Sequence, residues 1–368
     1  MPTSHELIVC GLTLILSRSF GEDLKLVQVI FRHGDRAPNF DSIEFYPLDP
    51  YANETWYPHG WDGLTNEGKR RAYDLGVFFK ERYGVWLGDI YLSNEVEFRS
   101  SNMERTIMSA QLVAAGLFPP TGIQRWNENL NWQPIPVFAS PTSMKRLYAT
   151  HMHCPRLVAM RNEILKTDAH LIQRNEELKE FYEFLTPNIG RTAGQLETFL
   201  VYHQLVSELY ANLPLPEWTR GIFPEGRMER VASYQFIVNS YNKSMIQLEG
   251  GVWIRELLTN VDSYLNKSQS ASRKAIFHGA HEYNIAAILI ALGVFEQHVP
   301  FYCNTIMFEL SKIDDDFYVK VLYKHKDSVE ELVIPGCGAA NCPLETFRRM
   351  VEDVVFTGDV EAACQMKN

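Results

Sequence analysis

A buried-strand pattern that occurs twice, each time ending in a polar turn, constrains the fold of this chain more than any other feature. Residues 24–31 form a largely apolar run of the length of a strand buried in a parallel sheet, and Arg-His-Gly follows at 32–34. Residues 275–277 repeat the pattern and lead into His-Gly-Ala-His-Glu at 278–282. Ligands bind beyond the carboxyl ends of strands in an open α/β sheet, so we expect both turns at one crevice.

Two helices are predicted between these units. One begins within residues 64–68 and keeps apolar residues on one face until Gly84. The other begins near Ser101 and is stopped by the prolines at 119–120, which places Arg105 in its first turns. Helices that alternate with buried strands favour an α/β fold.

The middle of the chain has a different pattern. From about residue 141 to residue 258 strand signals become rare and charged helical stretches predominate. The sequence therefore predicts an α/β fold in which a mixed, mainly parallel central sheet is flanked by helices and formed by residues 22–140 and 259–368. A smaller, mostly helical cap domain is inserted at 141–258.

The amino terminus predicts export. Residues 7–16 are apolar and are followed by mostly small and polar residues, which is typical of a secretory signal peptide at 1–21. This run is too short to span a bilayer, and no later stretch reaches the length of a membrane helix. We expect a secreted, extracellular protein without a membrane anchor. The alternative for the apolar run is a buried first strand.

Charge limits the classes of partner. The formal net charge is −10, whereas proteins that attach broadly to nucleic acid or to anionic lipid present a basic face. We therefore expect a small-molecule ligand and no nucleic acid. A homodimer is left open by the sequence.

The cysteines and sequons fit an oxidising compartment. Cleavage of the signal peptide would leave five of the six cysteines, of which Cys337 and Cys342 enclose a short loop that a disulfide could close. Glycosylation sequons begin at Asn53, Asn242 and Asn266. The segment His-Met-His-Cys at 151–154 could instead hold a transition metal, but no second pair with metal-ligand spacing occurs, so we expect no metal site.

The segment Arg-His-Gly-Asp-Arg-Ala-Pro at 32–38 carries the clearest chemistry. Two arginines flank a histidine at the end of a strand. Guanidinium groups present planar forks that match phosphate oxygens, so this arrangement predicts an oxyanion clamp around a nucleophile. An exposed, salt-bridged turn is the alternative.

This segment matches R-H-G-x-R-x-P, the signature of the histidine acid phosphatases, and the chain resembles that family, branch 2 of the histidine phosphatase superfamily. Residues 102–110 resemble the family segment that supplies a third phosphate arginine, and residues 131–136 and 335–344 also resemble family segments. The resemblance covers nearly the whole mature chain. It implies that His33 is the nucleophile and that the phosphate is bound by Arg32, Arg36, Arg105 and His281.

The resemblance also bears on cofactors and cysteines. It implies catalysis without a metal or another cofactor, because the arginines provide the positive charge that a divalent cation provides elsewhere. It pairs Cys154 with Cys364. Cys303 resembles a position that is bridged in some relatives, but the region expected to hold the partner, residues 209–212, has no cysteine, so a buried free thiol is expected.

The late motif departs from the family pattern. Most members carry His-Asp, and the aspartate donates a proton to the leaving group; this chain has His281-Glu282, as in the venom acid phosphatases of insects. Glutamate can serve as the donor, because the two acids have similar intrinsic pKa values and differ by one methylene of reach. The alternatives are a helix N-terminal acid for Glu282 and a core histidine for His281.

Together these inferences predict a secreted acid phosphatase that hydrolyses phosphate monoesters through a phosphohistidine. We expect an acidic optimum, because nearby cations keep His33 unprotonated while Glu282 must hold its proton. One alternative is a catalytically weak secreted protein that binds phosphate ligands on the same scaffold. Another is a phosphatase specialised for inositol phosphates or lysophospholipids, although no run of basic residues near the motifs favours it.

Overall fold

The structure, a computed structural model, describes residues 23–39, 45–139, 147–148, 153–266 and 273–366. The predicted signal peptide at 1–21 lies outside the described residues. So do His151 and Met152 of the segment considered as a metal cluster.

One eight-stranded sheet forms the centre of the described structure. Its strands are β1 (Asp23–Arg32), β2 (Val96–Ser100), β3 (Val137–Ala139), β4 (Ala275–Ala280), β5 (Thr305–Ile313), β6 (Asp316–His325), β7 (Ser328–Leu332) and β8 (Cys342–Pro343). They are ordered β3-β2-β4-β1-β5-β6-β7, and β8 pairs with β6. The strands β3, β2, β4 and β1 are parallel, and β5 to β8 add antiparallel pairs. The predicted mixed sheet with mainly parallel core strands is confirmed.

Helices surround this sheet. They are α1 (Asn66–Leu87), α2 (Glu104–Leu117), α3 (Pro155–Thr167), α4 (Ala169–Glu177), α5 (Lys179–Ile189), α6 (Gln195–Tyr210), α7 (Arg227–Asn239), α8 (Lys243–Ile246), α9 (Val252–Leu265), α10 (Glu282–Ala291), α11 (Leu344–Val351) and α12 (Val360–Cys364). A π-helical segment, Gln247–Gly251, joins α8 to α9.

The apolar residues of β1 face both sides of the sheet, as expected of a central strand with two covered faces. Val27, Val29 and Phe31 pack in the core formed with α1 and α2. Leu26 and Ile30 pack in the core formed with α9, α10 and α11. This two-sided burial explains why the run in the sequence is nearly continuous rather than alternating.

The helices predicted beside the sheet form where the sequence places them. Thr65 caps α1, since its hydroxyl oxygen accepts a hydrogen bond from the Gly68 amide at 3.1 Å. α2 ends at Leu117, one residue short of the proline pair, and holds Arg105 in its first turn. Both helix starts therefore lie at the edge of the sheet where β1 ends.

The middle of the chain is helical. The described residues between 153 and 265 contain no strand. Helices α5, α6 and α7 share a core with residues of α10 and of the segment before β5, including Tyr302. The predicted boundary at 258 falls inside α9, so the division into a phosphatase core and a cap remains a prediction.

One disulfide joins segments that are far apart in the sequence, and another closes a short loop. Cys154, at the start of α3, is joined to Cys364 at the end of α12, and Cys337 is joined to Cys342. Cys303 is free and buried. Within the described ranges no cluster of His, Cys, Asp and Glu could hold a metal ion, and no helix has the length and hydropathy to cross a membrane.

Candidate active site

The turn after β1 is fixed from two sides. The His33 amide donates to the Ala280 carbonyl at 3.0 Å, and the His33 carbonyl accepts from the Cys303 amide at 3.3 Å. These bonds tie the turn to the end of β4 and to the segment before β5. A Cβ on Gly34 would lie 2.3 Å from the Gly68 carbonyl oxygen, so only glycine allows this turn to approach α1.

Asp35, the acid inside the motif, has a structural role in this arrangement. Its buried carboxylate accepts hydrogen bonds from the Arg71 guanidinium, at 2.7 Å from Nε and 3.3 Å from Nη2. Because Arg71 belongs to α1, the pair holds the turn on that helix.

The two polar turns predicted from sequence meet. β1 and β4 are parallel neighbours, so their carboxyl ends lie side by side. The ring centroids of His33 and His281 are 5.5 Å apart, and Arg32 Nε lies 3.0 Å from Glu282 Oε2. The expected common crevice is therefore present.

Arg36 and Arg105 reach the crevice from different segments and share one acid. Arg105 Nη1 forms an ion pair with Asp62, and Arg36 Nε lies 3.9 Å from Asp62 Oδ1. Both arginines are buried, and Asp62 is half-buried. Asp62, which the sequence motifs did not indicate, supplies negative charge between two of the predicted phosphate ligands.

Arg32 is held rigidly. Its guanidinium carbon lies 4.2 Å from the centre of the Tyr302 ring, and its Nη1 donates to the Pro300 carbonyl at 2.7 Å. Its Nη2 is buried and has no hydrogen-bond partner among the described residues. The protein itself thus positions the side chain, and Nη2 can donate a hydrogen bond to a ligand.

Hydrogen bonding fixes the tautomer of His33. Nδ1 lies 2.7 Å from the Gly34 carbonyl oxygen, which can only accept, so Nδ1 carries the proton and Nε2 carries a lone pair. Burial, reinforced by the charges of Arg105 and Arg32, lowers the pKa of His33 well below its ordinary value. The imidazole therefore remains neutral in mildly acidic solution.

The second motif begins α10. Burial alone would raise the pKa of Glu282, but the charge of Arg32, with smaller effects of the nearby histidines, holds that pKa well below its usual range. His281 Nε2 lies 2.9 Å from the Ser101 hydroxyl, which fixes the ring orientation. The His281 amide donates to Asn284 Oδ1 at 3.1 Å, so the start of the helix is capped.

Comparison with known proteins identifies the family. The profile of the histidine phosphatase superfamily (branch 2) matches residues 23–324. The chain belongs to this superfamily. Venom acid phosphatase Acph-1 of Apis mellifera is 36% identical over 94% of this chain and 88% of that protein. Lysosomal acid phosphatase of Bos taurus is 33% identical over 95% of this chain and 82% of that protein. The resemblance and the phosphatase class predicted from sequence are thereby confirmed.

Solved phytase structures share the fold. The phytase of Klebsiella sp. ASR1 has a TM-score of 0.70 and 15% identity, with 94% of this chain and all of that chain covered. Hafnia alvei phytase in complex with myo-inositol hexakis sulphate has a TM-score of 0.69 and 17% identity, with 95% of this chain and all of that chain covered. At 15% and 17% identity, this likeness shows only that the folds are similar.

This histidine phosphatase also places near Arg32 and Glu282 a histidine that the sequence motifs did not indicate. His203, on α6, is buried, and neither ring nitrogen has a hydrogen-bond partner in the described part of the chain. It lines, with Arg32, a cavity of about 450 Å³. Burial lowers the pKa of His203 to about 3, against the opposing charge of Glu282. In the sequence, a single histidine inside an apolar helix resembles a core residue, so only its packing reveals it.

Proposed function

We propose that this histidine phosphatase is a secreted acid phosphatase that hydrolyses small phosphate monoesters through a phosphohistidine on His33. The observation that carries the proposal is the bond from Nδ1 to the Gly34 carbonyl, which leaves Nε2 unprotonated beside buried arginines. A neutral imidazole among cations is suited to attack an anionic ester, since the cations bind the charge that the nucleophile must approach.

The arginines supply the phosphate clamp. Arg32, Arg36 and Arg105 are all buried, and their planar guanidinium groups can each offer paired donors to phosphate oxygens. The ester would compete with Asp62 for two of them and with Glu282 for the third. The three arginines therefore form contacts with acids of the protein itself, and a phosphate ester would replace those contacts.

The first step transfers the phosphoryl group. The lone pair of His33 Nε2 forms a bond to phosphorus while the bond from phosphorus to the ester oxygen breaks. Glu282 gives its proton to that oxygen, which leaves as an alcohol. The arginines stabilise the charge on the equatorial oxygens as the group passes between the two atoms.

The protonation of Glu282 depends on the ligand. Arg32 lies against the carboxylate and holds it ionised. A phosphate dianion brings negative charge to Arg32 and to the carboxylate, and both effects raise the pKa of Glu282. The substrate itself therefore promotes the acid form that the first step requires.

The second step regenerates the enzyme. Water attacks phosphorus, Glu282 takes a proton from it, and the bond between phosphorus and Nε2 breaks. Inorganic phosphate leaves, His33 is neutral again, and Glu282 again carries the proton. One ester and one water are consumed, and one alcohol and one phosphate are formed.

The protonation of His33 and of Glu282 determines how activity depends on pH. Activity falls at the acid end when His33 gains a proton, which occurs only well below the usual histidine pKa. Activity falls at the alkaline end when Glu282 in the complex loses its proton. The optimum therefore lies in acidic solution.

The alternative of a catalytically weak phosphate-binding protein is favoured by one observation, the close ion pair between Arg32 and Glu282. Turnover of p-nitrophenyl phosphate and of an alkyl phosphate separates the enzyme from the binding protein. The alkyl leaving group depends on a general acid, and p-nitrophenolate depends on it much less. We expect wild type to turn over both esters, His33→Ala to turn over neither, and the exposed control His170→Ala to match wild type. Binding of both esters without turnover would favour the alternative.

Secretion is supported by the surface and by the disulfides. The sequon residues Asn53 and Asn266 are exposed, and Asn242 caps α8 by accepting from the Met245 amide at 3.1 Å. Expression in animal cells should release a protein that begins near residue 22 and shifts in mass on deglycosylation. Retention inside the cell with an unprocessed amino terminus would contradict this.

A further inference from the structure

A second group of buried ionisable side chains lies away from the active site, where the segment 45–51 packs on α6. Gln204 Nε2 donates two hydrogen bonds, one to Asp49 Oδ2 at 2.7 Å and one to Glu208 Oε1 at 2.8 Å. One nitrogen thus holds the two carboxyl groups next to each other. We call Asp49, Gln204 and Glu208 the carboxyl clasp.

Among the described residues, no positive charge balances the clasp. Asp49 is 5% exposed and Glu208 is fully buried, and in the described part of the chain neither forms an ion pair with Lys or Arg. The other described ionisable groups that face it are acids. Burial and the nearby carboxyl groups raise the pKa of Tyr46 and Tyr51, so both phenols are neutral, and Glu54 beside Tyr51 adds only negative charge.

Two adjacent buried carboxyl groups without a cation cannot both ionise at neutral pH. Asp49 accepts more hydrogen bonds than Glu208, because its Oδ1 also accepts from the Tyr51 amide at 2.7 Å. Glu208 Oε2 has no hydrogen-bond donor among the described residues. Burial and the charge of Asp49 raise the pKa of Glu208 to about 8, in agreement with a proton held on this residue.

We propose that one proton, held on Glu208 beside Asp49, latches the segment 45–51 to α6 in acidic and neutral solution. Loss of this proton in alkaline solution places two negative charges side by side and releases the segment. The latch holds the segment to a helix that also contacts the surroundings of Arg32. The segment follows the catalytic turn in the chain, and on α6 the hydroxyl of Ser207 lies 3.5 Å from that of Tyr302, whose ring covers Arg32.

The substitution Glu208→Gln tests the latch, because the amide has the shape and hydrogen bonds of a protonated carboxyl group but cannot ionise. An acid whose pKa is raised by folding stabilises the protein fully below its unfolded pKa, and this contribution is lost as the pH rises through the folded pKa. We expect the melting temperature of wild type to fall between pH 5 and pH 9 more steeply than that of Glu208→Gln. At pH 9 the variant should melt at least about 2 °C above wild type.

Two further measurements keep the test specific. The exposed control Glu217→Gln should follow the wild-type dependence on pH, and the Tyr51 amide should exchange faster at pH 9 in wild type than in Glu208→Gln. If Glu208→Gln does not fold, Asp49→Asn removes the same charge and should give the same flattened dependence. Parallel melting curves for wild type and the folded variant, with equal exchange at Tyr51, would overturn the proposal.

Discussion

The active site and the carboxyl clasp both bury acids, and they shift those acids in opposite directions. Burial raises the pKa of Glu282 and of Glu208 alike. At Glu282 the Arg32 guanidinium lies 3.0 Å away and reverses the effect, whereas the described partners of Glu208 are an amide and a second acid. The placement of cations, rather than burial, therefore decides which acid is ionised in this molecule.

The two acids, Glu282 and Glu208, respond to different signals. An acid held ionised by an arginine changes its protonation when an anion binds to that arginine. An acid held protonated by another acid changes only with pH. The first arrangement suits a group that must exchange a proton during each turnover, and the second suits a contact that holds two segments together.

Removal of the cation at the active site should have the largest effect. Arg32→Ala removes one of the proposed phosphate ligands and the group that ionises Glu282, so we expect kcat/KM for p-nitrophenyl phosphate to fall by about 10³-fold or more. Arg32→Lys, which keeps the charge but not the planar fork, should recover part of the loss. Arg230→Ala, on the same cavity, should retain activity. A loss of less than about tenfold in Arg32→Ala would contradict the comparison.

Removal of the acid itself should depend on the leaving group. Glu282→Gln cannot donate a proton, so kcat for an alkyl phosphate should fall by about 10²–10⁴-fold and kcat for an aryl phosphate by less. Glu229→Gln alters a half-buried acid that lines the cavity beside Arg32 and His203, and it should change both rates equally little. Equal losses on both esters in Glu282→Gln would show that the residue acts through folding or binding alone.

Binding of inorganic phosphate should transfer a proton to the active site. On the proposed mechanism phosphate binds Arg32 and raises the pKa of Glu282, so calorimetry at about pH 5 in buffers of different ionisation enthalpy should detect uptake of up to about one proton. The uptake should be lost in Glu282→Gln and retained in Glu208→Gln. Equal uptake in wild type and Glu282→Gln would assign the proton to another group.

The smallest effect is expected at His203. Since burial lowers its pKa to about 3, the imidazole carries no charge at the working pH and adds little to the electrostatics. His203→Phe should keep the aromatic contact with Phe199, whose ring centroid is 4.5 Å away, and reduce kcat/KM by less than about tenfold. A loss as large as that of Arg32→Ala would mean that His203 contacts the reacting groups.

The sequence predicts much of the catalytic end of the sheet, because strand, turn and helix signals there are local. Residues 24–31 and 275–277 identify two neighbouring strands, and the turns that follow them carry His33 and Glu282. The capped start of α1 and the proline stop after α2 are also local signals. These features require no knowledge of which distant residues meet.

The contacts that sequence reasoning missed depend on tertiary packing. Asp62 lies between Arg36 and Arg105, but nothing in its own segment marks it as their partner. His203 resembles an ordinary core residue of an apolar helix, and Asp49 and Glu208 are separated by more than 150 residues. A pattern within one segment cannot show that two acids share one amide donor.

Identification of the phosphorylated residue shows whether His33 is the nucleophile. The enzyme is mixed with ester labelled in its phosphoryl group, denatured within one turnover and kept alkaline, and the labelled peptide is sequenced. We predict label on His33, attached at Nε2, in wild type and none in His33→Ala. Label on another residue, or undiminished turnover in His33→Ala, would contradict the account.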